Sequence, residues 1–435
     1  MKNQTKIKRN SGAAMLISVI FFLFISLAII AGLVSPTVRE FRNASVNLNS
    51  KKSYFLAESG TEDALYRILQ NLTISNSETL TLNSNSAMTS ITTLFGNGKQ
   101  ISSLGDVSNY QRKTNVTLVA GSGVGFNYGI QVGTGGFTLS GGTTINGNVY
   151  SNGNIQASSG VHITGSAVAA GATSYIGDSG SNPWIGTVVI GSAGVGDAWA
   201  YNVRGGNVAG NLYCQIGTSN NKACNTSRGI PLFQPMPFTD DDITAWKNTA
   251  TAGGIITGAT QCPGGSSGGN CTVNSADATF GPGKITGNLT VNGGGTLTLT
   301  GTVWVVGTVN VTGGGNINLP AGYALNSETI VSDNLVNING GGSLGSGNPN
   351  SYLFIVSTST SVNAISVTGG AGAIAVDAQN GTVVLSGGAS LNSAVGKTIT
   401  ATGGTTVNYQ QGLASPSFQS GPSGGWVIGG WKEVQ

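Results

Sequence analysis

Hydrophobic and polar positions along this chain follow three rhythms. The first is unbroken: Ala13 to Val34, AAMLISVIFFLFISLAIIAGLV, runs 22 residues without a charge, and as a helix it is long enough to cross a bilayer core of roughly 30 Å. The second follows Pro36, where Phe41, Leu48, Phe55, Ala57, Leu65, Ile68, Leu69 and Leu72 recur near helical spacing among polar residues. That spacing predicts a membrane helix that runs on into an amphipathic stalk over 13–72, with Gly32 and Pro36 as its kink.

The third rhythm is β-like. GNLTVN (287–292), GTLTLT (295–300), GTVWVV (301–306) and GTVNVT (307–312) pair apolar residues two apart: Leu289/Val291, Leu297/Leu299, Val303/Val305 and Val309/Val311. Residues two apart on a strand share a face, and glycine between strands turns the corner. Val149, Ile155 and Val161 keep the six-residue beat earlier, and it lengthens to nine at Ile365/Val367, Ile374/Val376 and Val383/Leu385. Strands this short cannot bury a face alone, so the pattern predicts a parallel β-helix whose coils pile like on like. The drift from six to nine fits a right-handed helix better than a left-handed hexapeptide one. Val303 and Val305 then point inward, and Thr302 and Trp304 outward.

The fold class expected is therefore mainly β, with an N-terminal helix ahead of a solenoid. Its divisions are a leader (1–12), the membrane and stalk helix (13–72), transition strands that cap the coils (73–120, with Gly96-Asn97-Gly98 as a turn), a first β-helix block (121–196), an insertion (197–272) and a second block (273–435). Phe418, Trp426 and Trp431 are expected to plug the last coil, with a glycan-binding aromatic platform as the alternative. Composition supports order: only 8% of residues are charged, 70 of 435 are glycine, and β-branched residues abound, whereas ordinary disorder needs high charge.

Charge sets the orientation. Lys2, Lys6, Lys8 and Arg9 precede the apolar run, which by the positive-inside rule keeps the N-terminus cytoplasmic and sends the rest outward. A secretory signal peptide would have a shorter apolar core of about 7–15 residues. Residues 1–120 carry 12 basic and 6 acidic side chains and the remainder 7 and 10, so the outer part offers no nucleic-acid surface.

A short basic leader, Ser11-Gly12 directly before an apolar helix, and SYFLAESGTEDALYRI (53–68) further along it resemble the N-terminal region of type IV pilins, most closely PilX-type minor pilins. The resemblance covers about the first 70 residues. It implies cleavage by a prepilin peptidase between Gly12 and Ala13, and partnership with other pilins and the pilus assembly machinery. Major pilins have glutamate at the fifth mature position; Ile17 stands there in this chain, a departure shared by PilX-like proteins, which points to a minor subunit.

Candidate chemistry is sparse. Cys214/Cys224 and Cys262/Cys271 each bracket a polar loop; outside the cytoplasm they read as two local disulfides, although sequence alone allows three connectivities, and zinc would show tighter C-x-x-C knuckles. Asp240 to Asp242 follow Thr239 and precede Ile243 and Trp246. They read as the first turn of a capped helix ended by Gly253 rather than as a cation site or catalytic acids. GGAGAIAVD (369–377) lacks the acidic position of a calcium-binding nonapeptide. His162 lies on an outward strand position, and GSSGG (265–269) has no strand-to-helix context for a nucleophile elbow. Asp178, Asp197, Asp277, Asp333 and Asp377 are expected as isolated outward acids, unlike the clustered aspartates of β-helix lyases.

The expectation is a non-enzymatic type IV minor pilin or pilin-like surface protein, without metal or cofactor, anchored by one membrane helix and displaying a β-helix to surface glycans or partner cells. The alternatives are a membrane-anchored scaffold that polymerises through β-helix ends, in the manner of bactofilins, and a carbohydrate-active β-helix protein.

Overall fold

The computed structural model describes residues 11–69, 74–94, 99–120, 125–158, 160–177, 188–256, 268–323, 326–345, 351–414, 416–418 and 426–434. Cys262, Asp178, the 96–98 turn and most of the GSSGG loop lie outside these residues.

One helix, α1 (Ser11–Leu69), carries both the apolar run and the stalk, with Pro36 inside it. It begins before the Gly12/Ala13 junction, and it runs on from the apolar stretch into the stalk as the spacing predicted. Pro36 offers no N–H to the preceding turn, and alongside it the Thr37 hydroxyl donates to the Leu33 carbonyl at 2.7 Å.

The strands expected within 73–120 are described over 74–94 and 99–120. They form an antiparallel sheet, Ser77–Leu82, Asn85–Thr93, Lys99–Val107 and Tyr110–Ala120, completed by the C-terminal strand Trp426–Val434. Two of its hairpins turn through residue pairs with positive φ, Asn83-Ser84 and Ser108-Asn109, the backbone that matches strand twist in two-residue loops. Trp426 and Trp431 thus belong to this sheet, where they pair with Ala120 and Val116; the expected plug of the last coil is corrected accordingly. The stalk lies on the sheet through Ser53, Ala57, Gly60, Thr61 and Ala64, and Ile68 packs with Ile91, Ile101, Val116 and Leu118. Small residues let the backbones approach closely: a β-carbon at Gly105 would collide with the Ser53 carbonyl.

The remaining strands make a second sheet of a different kind. Most pair in parallel with the strand three places further on. One column of successive partners runs Cys271, Leu289, Val309, Val336, Ile365, Val383, Ile399, Phe137, Ile155, Ile176, Val203, all buried. Each such aliphatic side chain taken from water is worth about 1.5–3 kcal/mol, which is what makes three-residue strands stable. At one corner, Gly-Gly pairs with positive φ (313–314, 340–341, 369–370, 387–388, 403–404) stack on one another, and Gly388 N donates to Gly403 O at 2.8 Å. A left-handed corner of this sort favours glycine.

The spatial order is not the chain order. Ser390–Ala401 pairs with Ile130–Leu139, and Thr406–Asn408 with Thr144–Asn146, so the C-terminal block stacks onto the start of the N-terminal block. The chain enters in the middle of the stack and builds outward to Ile216–Thr218. It then returns along the wall and re-enters at Ile255–Ile256, which pairs with Gly283–Ile285. Much of the expected insertion is therefore stack: Ala198–Trp199, Asn202–Arg204, Gly206–Val208, Leu212–Tyr213 and Ile216–Thr218 all pair in it.

The returning segment is held layer by layer. Gln215 Nε2 donates to Arg228 O (3.3 Å), Trp199 Nε1 to Gly229 O (2.6 Å), Gly171 N to Pro231 O (3.2 Å), Tyr150 Oη to Leu232 O, and Gln131 Nε2 to Pro235 O (2.6 Å). It ends in α2 (Asp240–Ala252), capped by the reciprocal Thr239/Asp242 box and Gly253. Phe238, Trp246, Phe126, Phe354 and Phe418 form one aromatic cluster, with adjacent ring centroids 5.0–5.3 Å apart. Two expectations of outward position are corrected as well. Asp377 is fully buried, not an exposed acid. Thr302 is buried at a corner outside its strand, where its hydroxyl donates to Glu328 Oε2 at 3.1 Å.

Candidate functional site

The surface that departs most from ordinary burial is the first half of α1. Every residue from Gly12 to Val34 is exposed, and the sequence leaves no alternative, because no face of this stretch is polar. By length and composition this helix could cross a membrane. The stalk keeps part of this character. The large apolar residues that marked it in the sequence, Phe41, Leu48, Phe55 and Leu69, remain exposed, while the small ones pack on the sheet. Helical periodicity thus identified the element, and of the positions it marked, Ala57, Leu65 and Ile68 pack on the sheet while Phe41, Leu48, Phe55 and Leu69 do not. Arg39, Glu40 and Arg42 lie exposed between the two halves.

Gly12 and Ala13 sit on this helix exposed, with open space around Gly12. Cys214 and Cys224 are joined by a disulfide. Cys271 is disulfide-bonded as well; its expected partner Cys262 lies outside the described residues. The structure brings the Cys214–Cys224 pair to the far end of the stack, distant in chain from the Gly12/Ala13 junction, so the predicted positions form no single site.

The wall carries two aromatic and cationic clusters that sequence reading did not pair. Arg228 lies over Trp199 and Tyr213, 4.3 and 4.9 Å from their centroids. Trp304 is covered by Lys284 at 3.6 Å, and its indole N–H donates to Asp333, which also pairs with Lys247 of α2 at 2.5 Å. Such cation–π contacts contribute about 0.5–1 kcal/mol each at exposed sites; here they fasten the returning segment. Trp304 is outward as expected, but it is occupied by its own lysines. His162 is half-buried, its Nε2 3.5 Å from Gly191 O. Asp240 to Asp242 occupy the first turn of α2, where the helix dipole favours negative charge. Among the described residues, no three His, Cys, Asp or Glu side chains converge as a metal site would need.

Burial pushes the Asp377 carboxyl up to about 7, only partly opposed by the Gln379 N–H that it accepts. Desolvation likewise raises Tyr352 to about 12, and raises Tyr128, which faces Tyr150. These groups are buried in the wall rather than gathered in a cleft.

No protein-family model matches the chain, and no curated protein matches it by sequence. Among solved structures, it is similar to the competence-associated pilin ComZ from Thermus thermophilus at 12% identity and a TM-score of 0.35, over 89% of this chain and 97% of that one. A likeness of that size bears on neither fold nor function.

Proposed function

We propose that this chain is a PilX-like minor pilin or pilin-like surface protein, and that its parallel stack is a β-helix held out from the cell for adhesion. The observation that carries the proposal is the division of α1. Its first half, Ala13 to Val34, is apolar and exposed on every face, while its second half is packed on a sheet of the same chain. A helix divided in this way anchors in a bilayer at one end and is fixed to a folded body at the other. The same apolar surface can leave lipid for a bundle of like helices without exposure to water, which is the step filament assembly requires.

The roles follow from residues already described. The basic leader holds the N-terminus inside. A prepilin peptidase cuts between Gly12 and Ala13, and Gly12 leaves the scissile bond unshielded by any side chain of its own. Ile17 places no carboxylate in the bundle, in keeping with a minor subunit. The stalk continues the assembly face through Phe41, Leu48 and Phe55 towards other pilins. The β-helix presents outward Thr, Ser and Asn positions to surface glycans or partner cells, and its work is mechanical rather than catalytic.

The test is Gly12→Val in cells that carry a prepilin peptidase and a pilus machine. The variant is expected to stay in the membrane fraction as an uncut precursor, while the wild type appears in sheared filaments. Equal amounts of both in sheared filaments would overturn the proposal.

A further inference from the structure

A parallel stack has two open ends, and a terminal layer exposes strand N–H and C=O groups that invite another strand. The outermost layer of the N-terminal block is Gly206–Val208, Leu212–Tyr213 and Ile216–Thr218, paired on one side only, with Val188–Ile190, Ala198–Trp199 and Asn202–Arg204. The other side of Gly206–Val208 and Leu212–Tyr213 is covered by residues 220–225, the end of the loop that Cys214 and Cys224 close and that begins with Ile216–Thr218.

Asn220 and Asn221 take the place of a further layer. Gly206 N donates to Asn220 Oδ1 (2.7 Å) and Gly206 O accepts from Asn221 N (3.0 Å). Val208 N donates to Asn221 Oδ1 (2.9 Å) and Val208 O accepts from Asn221 Nδ2 (3.0 Å). Lys222 Nζ donates to the carbonyls of Ala209 and Gly210 at 2.7 and 2.6 Å. Asn225 N donates to Leu212 O at 2.8 Å and forms a parallel bridge with Tyr213. Both strand groups of Gly206 and Val208 are thus satisfied by side-chain and backbone amides of one short loop.

That loop is polar and largely exposed, so it gains little from apolar burial, and hydrogen bonds open to water contribute only about 0.5–1.5 kcal/mol each. What fixes it is the disulfide to Cys214, which is buried in the core of the stack, whereas Cys224 is half-buried. We infer that the Cys214–Cys224 loop is a disulfide-locked end cap over a self-complementary edge, and that opening it lets the terminal layer pair with the same layer of a second copy. The occupant follows from shape: the edge consists of strands of three, two and three residues around successive corners. One extended peptide could follow only one side, whereas a second copy supplies all three. A dithiol opens the lock by a balanced exchange in which its two electrons cleave the S–S bond, both cysteines leave as thiols, and the dithiol becomes a disulfide. Two identical edges meet about a two-fold axis, so the product is a closed dimer.

The experiment uses the full chain in detergent micelles, with sedimentation velocity for protein mass and hydrogen exchange for the amides of Gly206 and Val208. Cys214→Ser/Cys224→Ser removes this disulfide and leaves the one at Cys271. The expected result is exchange faster by at least about tenfold at those amides, with a mass that doubles as protein concentration rises; the wild type keeps one mass. Folded wild type treated with a dithiol should show the same two changes, and it decides the matter if the serine variant fails to fold. Edge amides that stay protected without the disulfide would overturn the inference, as would amides that exchange freely in a protein that stays monomeric.

Discussion

Asp377 gives stability a pH dependence opposite to that of an ordinary carboxylate. Its neighbours in the stack are Val356 and Val395, and its Oδ2 has no hydrogen-bond partner among the described residues. With the folded value near 7 against 3.8 in the open chain, the sign follows from linkage. Below pH 4 both states are protonated and the group is neutral in its effect. Between pH 4 and 7 the unfolded chain releases its proton first, so stability falls as pH rises, by up to about 1.4 kcal/mol per unit. Above pH 7 the full penalty of about 4 kcal/mol remains. Asp377→Asn keeps the shape and the acceptor for Gln379 N but removes the charge. The variant is therefore expected to be about 2–4 kcal/mol more stable than the wild type at pH 8, the lower figure allowing for burial of the amide, and its advantage is expected to be smaller by about 3 kcal/mol at pH 4.5. Denaturant unfolding of the detergent-solubilised chain at both pH values, followed by tryptophan fluorescence, measures this, because Trp246 of α2 is fully buried in the aromatic cluster. The same difference at both pH values would refute the reasoning, since a packing effect has no such slope.

Three further outcomes follow from particular contacts. Val305→Asp buries a carboxylate in the column core and Thr302→Lys an ammonium beside Glu328, so both should cost several kcal/mol, whereas Val306→Lys at the adjacent exposed position should cost within about half a kcal/mol; denaturant midpoints of the three variants check this. Gly105→Val forces the stalk off the sheet at the Ser53 carbonyl, and should raise protease sensitivity within 50–69 while the parallel stack keeps its β signal in circular dichroism. Thr239→Ala removes the cap of α2 and should lower stability by about 1 kcal/mol, seen as an earlier loss of Trp246 fluorescence.

The elements themselves were legible because their causes are local. Leu289/Val291 and Val303/Val305 announce short one-faced strands by their spacing, and Thr239 with Asp242 announces a helix start. What was not legible depends on pairing at a distance. Columns of Val, Ile and Leu are interchangeable, so nothing in Ile399 names Phe137 as its neighbour, and the entry of the chain into the middle of the stack could not be read. Partners of the 77–120 strands were equally hidden, since alternation gives a buried face but not whether a stalk helix or the C-terminal strand covers it. One signal was available and unused: Leu353 to Val356 is apolar at every position, which marks a strand buried on both faces and hence a covered wall. Asp377 and Thr302 were assigned by alternation to the surface, and both are buried. At the N-terminus an all-apolar helix was clear, but which stalk residues pack was decided by backbone proximity, through Ala57, Gly60 and Thr61 rather than through Phe55.

The central claim, assembly of a processed apolar helix, is tested most directly by the mature N-terminus of the protein sheared from cell surfaces. Mass spectrometry is expected to find a chain that begins at Ala13, with the peptide AAMLISVIFF at its start. A chain beginning at Met1 in that surface material, from cells with an active prepilin peptidase, would contradict it.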